Sequence, residues 1–163
     1  MVSLLKRIVS GGQTGVDRGA LDAALDMQFS CGGWCPAGRL AEDGSIPDRY
    51  PLTELPNAGY EERTLQNLLD SDGTVVIHFG SLSGGTLETC EWCVARGKPV
   101  KIIDAATTLQ AAAAEEIGRF VERYNIETLN VAGPRASKAS QAQQYAREAV
   151  TLMLERYVTP FLK

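Results

Sequence analysis

A chain of 163 residues, 44% of them hydrophobic, is long enough to bury one full core, and the expectation is a single domain over residues 1–163. A formal net charge of −4 argues against a nonspecific nucleic-acid binder, which needs a basic face, but not against a small anionic ligand held by local backbone donors. No apolar run is long enough for a membrane span and no basic-then-apolar leader opens the chain, so the expectation is a cytoplasmic protein, with no membrane partner, whose Cys31, Cys35, Cys90 and Cys93 stay reduced.

In chain order, Leu4 to Ser10 reads as a strand, with β-branched Ile8 and Val9. It breaks at the paired glycines of SGGQTG (10–15) and resumes as a helix. That helix places Val16, Ala20, Ala23, Ala24 and Met27 on one face and Asp17, Arg18, Asp22 and Asp26 mostly on the other. Thr14 and Asp17 have capping-box spacing. A short strand follows at about 28–32. Residues 33–58, GWCPAGRLAEDGSIPDRYPLTELPNA, carry four prolines and three glycines, which forbid a continuous helix or a central strand. A loop of this length is usually functional when ordered. Tyr60 to Asp70 reads as a polar helix with Leu65, Leu68 and Leu69 inward. GTVVIHFG reads as a buried strand, and the helix from about Thr86 ends at Gly97. KPVKIID is a strand, Thr108 to Tyr124 a helix, ETLNVAG the last strand and Ser140 to Tyr157 the last helix. The alternation predicts a Rossmann-like three-layer α/β fold with a mainly parallel sheet and right-handed crossovers.

In such sheets ligands sit outside the carboxyl ends of the strands. Three glycine-containing turns are predicted at that edge: SGGQTG, GSLSGGT (80–86) and AGPRASK (132–138). One such turn is explained by tight chain reversal alone, but three together point to an anion cradle of backbone N–H groups and helix N-termini. The candidate binding residues are Gly11, Gly12, Gln13, Thr14 and Gly15, then Ser83, Gly84, Gly85 and Thr86, then Arg135. Arg135, ahead of Ser137 and Lys138, either clamps an anion or starts a solvated helix. Asp17 either caps its helix, which the spacing favours, or contacts a sugar or pterin N–H. Trp34 and Arg39, with Glu42 and Asp43, suit a lid with an aromatic platform; the alternative is a loop packed on its own Trp34 and Tyr50. Cys90 and Cys93 fall mid-helix, one turn apart, so they read as buried thiols and no zinc site is expected. Cys35 is the thiol placed to touch a ligand. His78, inside the strongest strand, reads as a core or sheet-edge histidine, and no Ser-His-Asp arrangement is evident. Trp92 reads as packing or an oligomer contact.

VSGGQTGVDRGALDAA, GGWCPAGRLAEDGSIPDRYPL, SGGTLET and VAGPRASK together resemble the molybdenum carrier (molybdenum cofactor carrier) family, over about residues 4–157. That family lies in a Rossmann-like superfamily with the LOG proteins and DprA. The resemblance implies a Rossmann-like fold, a homodimer or homotetramer, and a ligand at the carboxyl edge of the sheet. In algal carriers of the family that ligand is the molybdenum cofactor, a pterin bearing a phosphate and a molybdenum-oxo dithiolene. LOG proteins cleave nucleoside monophosphates and carry P-G-G-x-G-T-x-x-E. Here the stretch from Ser83 lacks one residue, and Thr89 stands at the position matching the glutamate. That departure puts hydrolysis in doubt and leaves Asp17 and Glu88 as weak catalytic candidates. The leading expectation is a binding protein for the molybdenum cofactor or a related phosphorylated heterocycle. The alternatives are a LOG-type nucleoside monophosphate phosphoribohydrolase and a sensor of a nucleotide-derived ligand.

Overall fold

A computed structural model describes residues 5–158; the expected strand start at Leu4 lies outside them. The elements are β1 (Arg7–Val9), α1 (Val16–Asp26), β2 (Cys31–Gly32), β3 (Trp34–Cys35), β4 (Leu40–Ala41), β5 (Gly44–Ser45), β6 (Thr53–Glu54), α2 (Tyr60–Leu69), β7 (Gly73–His78), α3 (Gly84–Ala95), β8 (Val100–Asp104), α4 (Gln110–Arg123), β9 (Thr128–Ala132) and α5 (Ala142–Leu154). Five strands form one parallel sheet in the order β2-β1-β9-β7-β8, a Rossmann-like arrangement. The last strand inserts between the first and the seventh. The carboxyl ends of β1, β9 and β7 therefore lie side by side, and each leads into one of the three glycine turns. No helix among the described residues is long and apolar enough to cross a membrane.

Side chains alternate along the strands. Ile8, Val75, Ile77, Ile103, Leu129 and Val131 meet α1, α4 and α5 in the main core. Thr74, Val76 and Asn130 face the other way, toward the side that carries α2 and α3. The α1–α5 pair packs through small residues, with Ala20, Ala23 and Ala24 against Ala142, Ala146 and Ala149. At Gly19 a Cβ would stand 2.3 Å from the Gln143 carbonyl, so the backbones come too close for any side chain there.

The outer face of α1 departs from expectation. Asp17, Arg18 and Asp22 are buried with the rest of residues 16–24, because the 33–58 loop folds over Arg18 and Asp22 and Arg63 of α2 packs on Asp17. Leu21, Cys35, Ala41, Ile46 and Tyr50 form a second core under the loop. Each fully buried aliphatic side chain contributes about 1.5–3 kcal/mol. Polar partners pin the loop down. Arg18 holds Asp43 through two bonds of 2.6 and 2.8 Å. Asp22 accepts from Arg49, from the Tyr50 hydroxyl at 2.7 Å and from Gln143 at 2.8 Å. A charge-bearing α1 face reads as solvated only while its partners, some 25 residues onward, are out of sight.

Other expectations shift by smaller amounts. The 33–58 segment is ordered by two short ladders, β3 with β6 in parallel and β4 with β5 antiparallel. On α2 the inward residues are Arg63, Asn67 and Leu68, while Leu69 is exposed. Helix α3 begins at Gly84, two residues early, and β8 is an edge strand. The Thr14–Asp17 capping box does not form. Gly15 is the N-cap, at φ 86°, and it has no side-chain cap. The Thr14 hydroxyl instead donates to Glu42 and accepts from the Ala136 N–H at 3.0 Å.

Candidate functional site

A cavity of 380 Å³ opens where the three turns meet, at the carboxyl edge of β1, β9 and β7. Its volume falls in the range of roughly 300–1,000 Å³ that holds small-molecule ligands. Helix α3 supplies one wall. The first N–H groups of a helix have no partner within it, and here Ser83 adds no side-chain cap. Among the described residues no acceptor takes up the N–H groups of Gly84, Gly85 or Thr86. A Cβ added at Gly84 or Gly85 would meet nothing within 4 Å, so both glycines border open space. Gly84 also needs its freedom, at φ +58°. Further along the same helix face come Glu88, Thr89 and Trp92, all lining the cavity.

Helix α2 forms the opposite wall with Tyr60, Arg63, Thr64 and Asn67. Arg63 is 5% exposed. Its Nη1 donates to the Gly11 carbonyl at 2.8 Å and lies 3.3 Å from Asp17 Oδ2, and its Nε donates to the Tyr60 carbonyl at 3.2 Å. Asp17 also accepts from the Gln13 N–H at 3.2 Å. Burial pushes the Asp17 carboxyl above its ordinary range, against the pull of Arg63. Arg135 and Lys138 add cations on the third side, and Asn130 lies at the floor.

Not all of the expected ligand contacts lie at this cavity. Gly11, Gln13, Ser83, Gly84, Gly85, Thr86 and Arg135 line it, as do Asp17 and Glu88. Gly12, Thr14, Gly15, Trp34 and Arg39 do not. The first turn closes on itself: Asp17 takes the Gln13 N–H, the Gln13 side chain takes the Thr14 N–H, and Pro134 takes the Val16 N–H. Its glycines are needed for close packing. A Cβ at Gly11 would strike the Arg63 guanidinium, one at Gly12 would strike Leu52, and one at Gly15 would strike the Pro134 carbonyl. Arg39 donates to the carbonyls of Ile46, Pro47, Tyr50 and Leu52, so it braces the loop and does not form a lid. Trp34 donates to Asp70 at 2.8 Å and borders a separate hollow near Arg7 and Thr128, where strands β1 and β9 begin. Cys35 is buried in the second core, away from the cavity. Burial raises the Cys35 and Cys93 thiols and pushes Cys90 up to about 11. Among the described residues no group of three His, Cys, Asp or Glu is placed to hold a metal.

The residues that sequence reading missed were signalled by spacing. Tyr60, Arg63, Thr64 and Asn67 recur at i, i+3, i+4 and i+7, and so do Thr89 and Trp92 with the already expected Gly85 and Glu88. Each is a polar-aromatic stripe on one helix face, which an apolar-only search passes over. Among the planar side chains at the cavity are Trp92 and Tyr60.

Glu42 ties the long loop to the turns. Its carboxylate accepts from Thr14 and from the Ser137 N–H at 3.2 Å, and Arg135 lies 3.7 Å away. Hydrogen bonds from Ser137, then Thr14, hold it below the ordinary glutamate range. The folded protein then binds fewer protons at this site than the unfolded chain, so stability rises with pH through the window between the two pKa values. Glu42→Gln is expected to lower Tm at pH 7. That deficit should close as the pH falls through the depressed folded value. Thermal melts of both proteins across that range check it, and an equal deficit at both ends would refute the linkage.

Comparison with known proteins places the chain. Residues 8–154 match the family described as "Circularly permutated YpsA SLOG family". A crystal structure of a "putative molybdenum carrier protein" from Syntrophus aciditrophicus SB superposes with a TM-score of 0.90 at 40% sequence identity, covering 94% of this chain and 98% of that one. No curated protein matches.

Proposed function

We propose that this chain, which belongs to the circularly permutated YpsA SLOG family, is a carrier that holds an anionic phosphorylated heterocycle, the molybdenum cofactor or a close relative, in the cavity between α2 and α3. One observation carries the reading: three N–H groups, of Gly84, Gly85 and Thr86, stand without acceptors beside open space on a cavity with Arg135 and Lys138 on its wall. A helix start of this kind favours a phosphate or oxyanion through its free donors and its partial positive charge. Such a group would sit against 84–86, with Arg135 and Lys138 balancing its charge. A planar ring would lie along Trp92 and Tyr60, and its N–H edge would meet acceptors such as Asp17 and Asn130. The metal of such a cargo would keep its own sulfur and oxo ligands. The name of the Syntrophus protein supports the molybdenum part of this reading.

Native mass spectrometry of the purified protein, with metal analysis and oxidation to fluorescent pterin, tests it. Near-stoichiometric pterin with molybdenum is expected, at the mass of a homodimer or homotetramer. A nucleotide in its place, without metal, would overturn the carrier reading. A second reading has its own observation, since Asp17 and Glu88 both line the cavity as carboxylates. It is a LOG-type phosphoribohydrolase, releasing ribose 5-phosphate from a nucleoside monophosphate. Lack of turnover across a panel of nucleoside monophosphates removes it.

A further inference from the structure

His78 is the single histidine of the chain. It ends β7, immediately before the turn that delivers the α3 donors, and it lines the cavity. Alternation along β7 turns it to the same side as Thr74 and Val76, the side of α2 and α3. Its Nδ1 is buried and has no hydrogen-bond partner among the described residues. Asp104 lies opposite in the β7–β8 register but accepts from the Gly80 and Ala106 N–H groups, at 2.9 and 3.0 Å. A buried polar atom without a partner costs stability and calls for an explanation.

The tautomer supplies one. A buried N–H without an acceptor is rarer than a buried acceptor without a donor. An orphaned Nδ1 fits the tautomer that carries its proton on Nε2. With Nδ1 shut away, Nε2 is the ring nitrogen left to meet the cavity. We infer that His78 donates Nε2–H to an oxygen of the bound anionic group, alongside the N–H groups of 84–86, and selects ligands with an acceptor at that point. The inference rests on the anion-site reading above and adds to it a side chain that discriminates between ligands.

The single histidine makes the test direct. Imidazole ¹⁵N spectra of the untagged, ¹⁵N-labelled protein read the tautomer before any ligand is added. The Nε2–H form is expected, and an Nδ1–H tautomer would overturn the inference. Sodium molybdate and sodium phosphate are then titrated in the millimolar range. The amides of Gly84, Gly85 and Thr86 and the His78 Nε2 are expected to shift together, with one affinity. Amide shifts with a silent His78 would keep the anion site and sink the histidine contact. No shift in either would remove the anion site and the histidine contact with it. Variants give the chemical proof, because a glutamine amide reaches the Nε2 position and an asparagine amide the Nδ1 position. His78→Gln should bind molybdate within about twofold of the parent, while His78→Asn and His78→Leu should each lose about tenfold or more, as expected for one hydrogen bond to a charged group. Equal affinity for the Gln and Asn variants would overturn the assignment.

Discussion

Gly85→Asp is expected to abolish anion binding while the protein folds as stably as before. The two halves have separate causes. Gly85 is not among the glycines with positive φ, and a Cβ there would meet nothing within 4 Å, so an L side chain is accepted without strain. Aspartate in the first helical turn interacts favourably with the helix dipole, by about 0.3–1 kcal/mol, and its helix propensity is no worse than that of glycine. Stability should stay within about 1 kcal/mol of the parent. Binding fares differently. The new carboxylate accepts from the N–H groups that a ligand anion would use, and it places a negative charge where the ligand's charge must go. Charge-assisted hydrogen bonds are worth about 1.5–3 kcal/mol each, so losing two of them removes at least about 100-fold in affinity. Titration with molybdate, analysis of the co-purified cargo and a thermal melt decide it. A variant that melts like the parent and carries the same cargo at the same occupancy would show that the site lies elsewhere. Gly84 is the wrong position for this test, because its φ of +58° would confound folding with binding.

How much of the molecule is legible in its sequence differs from element to element. The βα alternation, the buried strand GTVVIHFG and the three turns at one edge follow from periodicity and glycine placement, and the structure contains them. The strand order does not follow from local pattern, because β9 reaches its place between β1 and β7 by pairing with residues more than 50 positions away. The same limit explains the long loop. Arg39 and Trp34 look like ligand groups while their partners are unknown, but carbonyls of 46–52 and the Asp70 carboxylate claim them. Arg63 is the reverse case: it reads as a surface charge on a polar helix, and burial against Gly11 and Asp17 brings it to the cavity wall. In both directions the deciding quantity is which hydrogen bonds are already satisfied, and only the folded chain displays it.

The first glycine turn should respond in the opposite way to the α3 turn. Gly15→Ala is expected to destabilise the fold severely, with ligand contact irrelevant to the loss. At Gly15, φ is 86° and ψ is −130°, a conformation that L residues avoid. Holding a side chain there costs of order 1–3 kcal/mol. The added methyl would also stand 2.3 Å from the Pro134 carbonyl oxygen and 2.9 Å from both the Arg135 carbonyl carbon and the Ala136 nitrogen. All three are backbone atoms, so no rotamer relieves the clash. The turn must move, and it takes with it the Val16 N–H bond to Pro134 and the Thr14 bond to Ala136. Overpacking of this kind adds about 1–3 kcal/mol, for a total of roughly 2–6 kcal/mol. That is a large share of the roughly 5–15 kcal/mol by which a domain is typically stable, and it lowers Tm by about 4–24 °C. Gly85→Ala, with the same change in mass and none of these contacts, should melt with the parent. A Gly15→Ala protein within about 2 °C of the parent would mean that the third turn yields cheaply, and the packing role of SGGQTG would fall. A large drop, beside an unmoved Gly85→Ala, would give the two glycine turns different roles. The first lets α1 seat against Pro134–Ala136, and the second leaves room and donors for the anion.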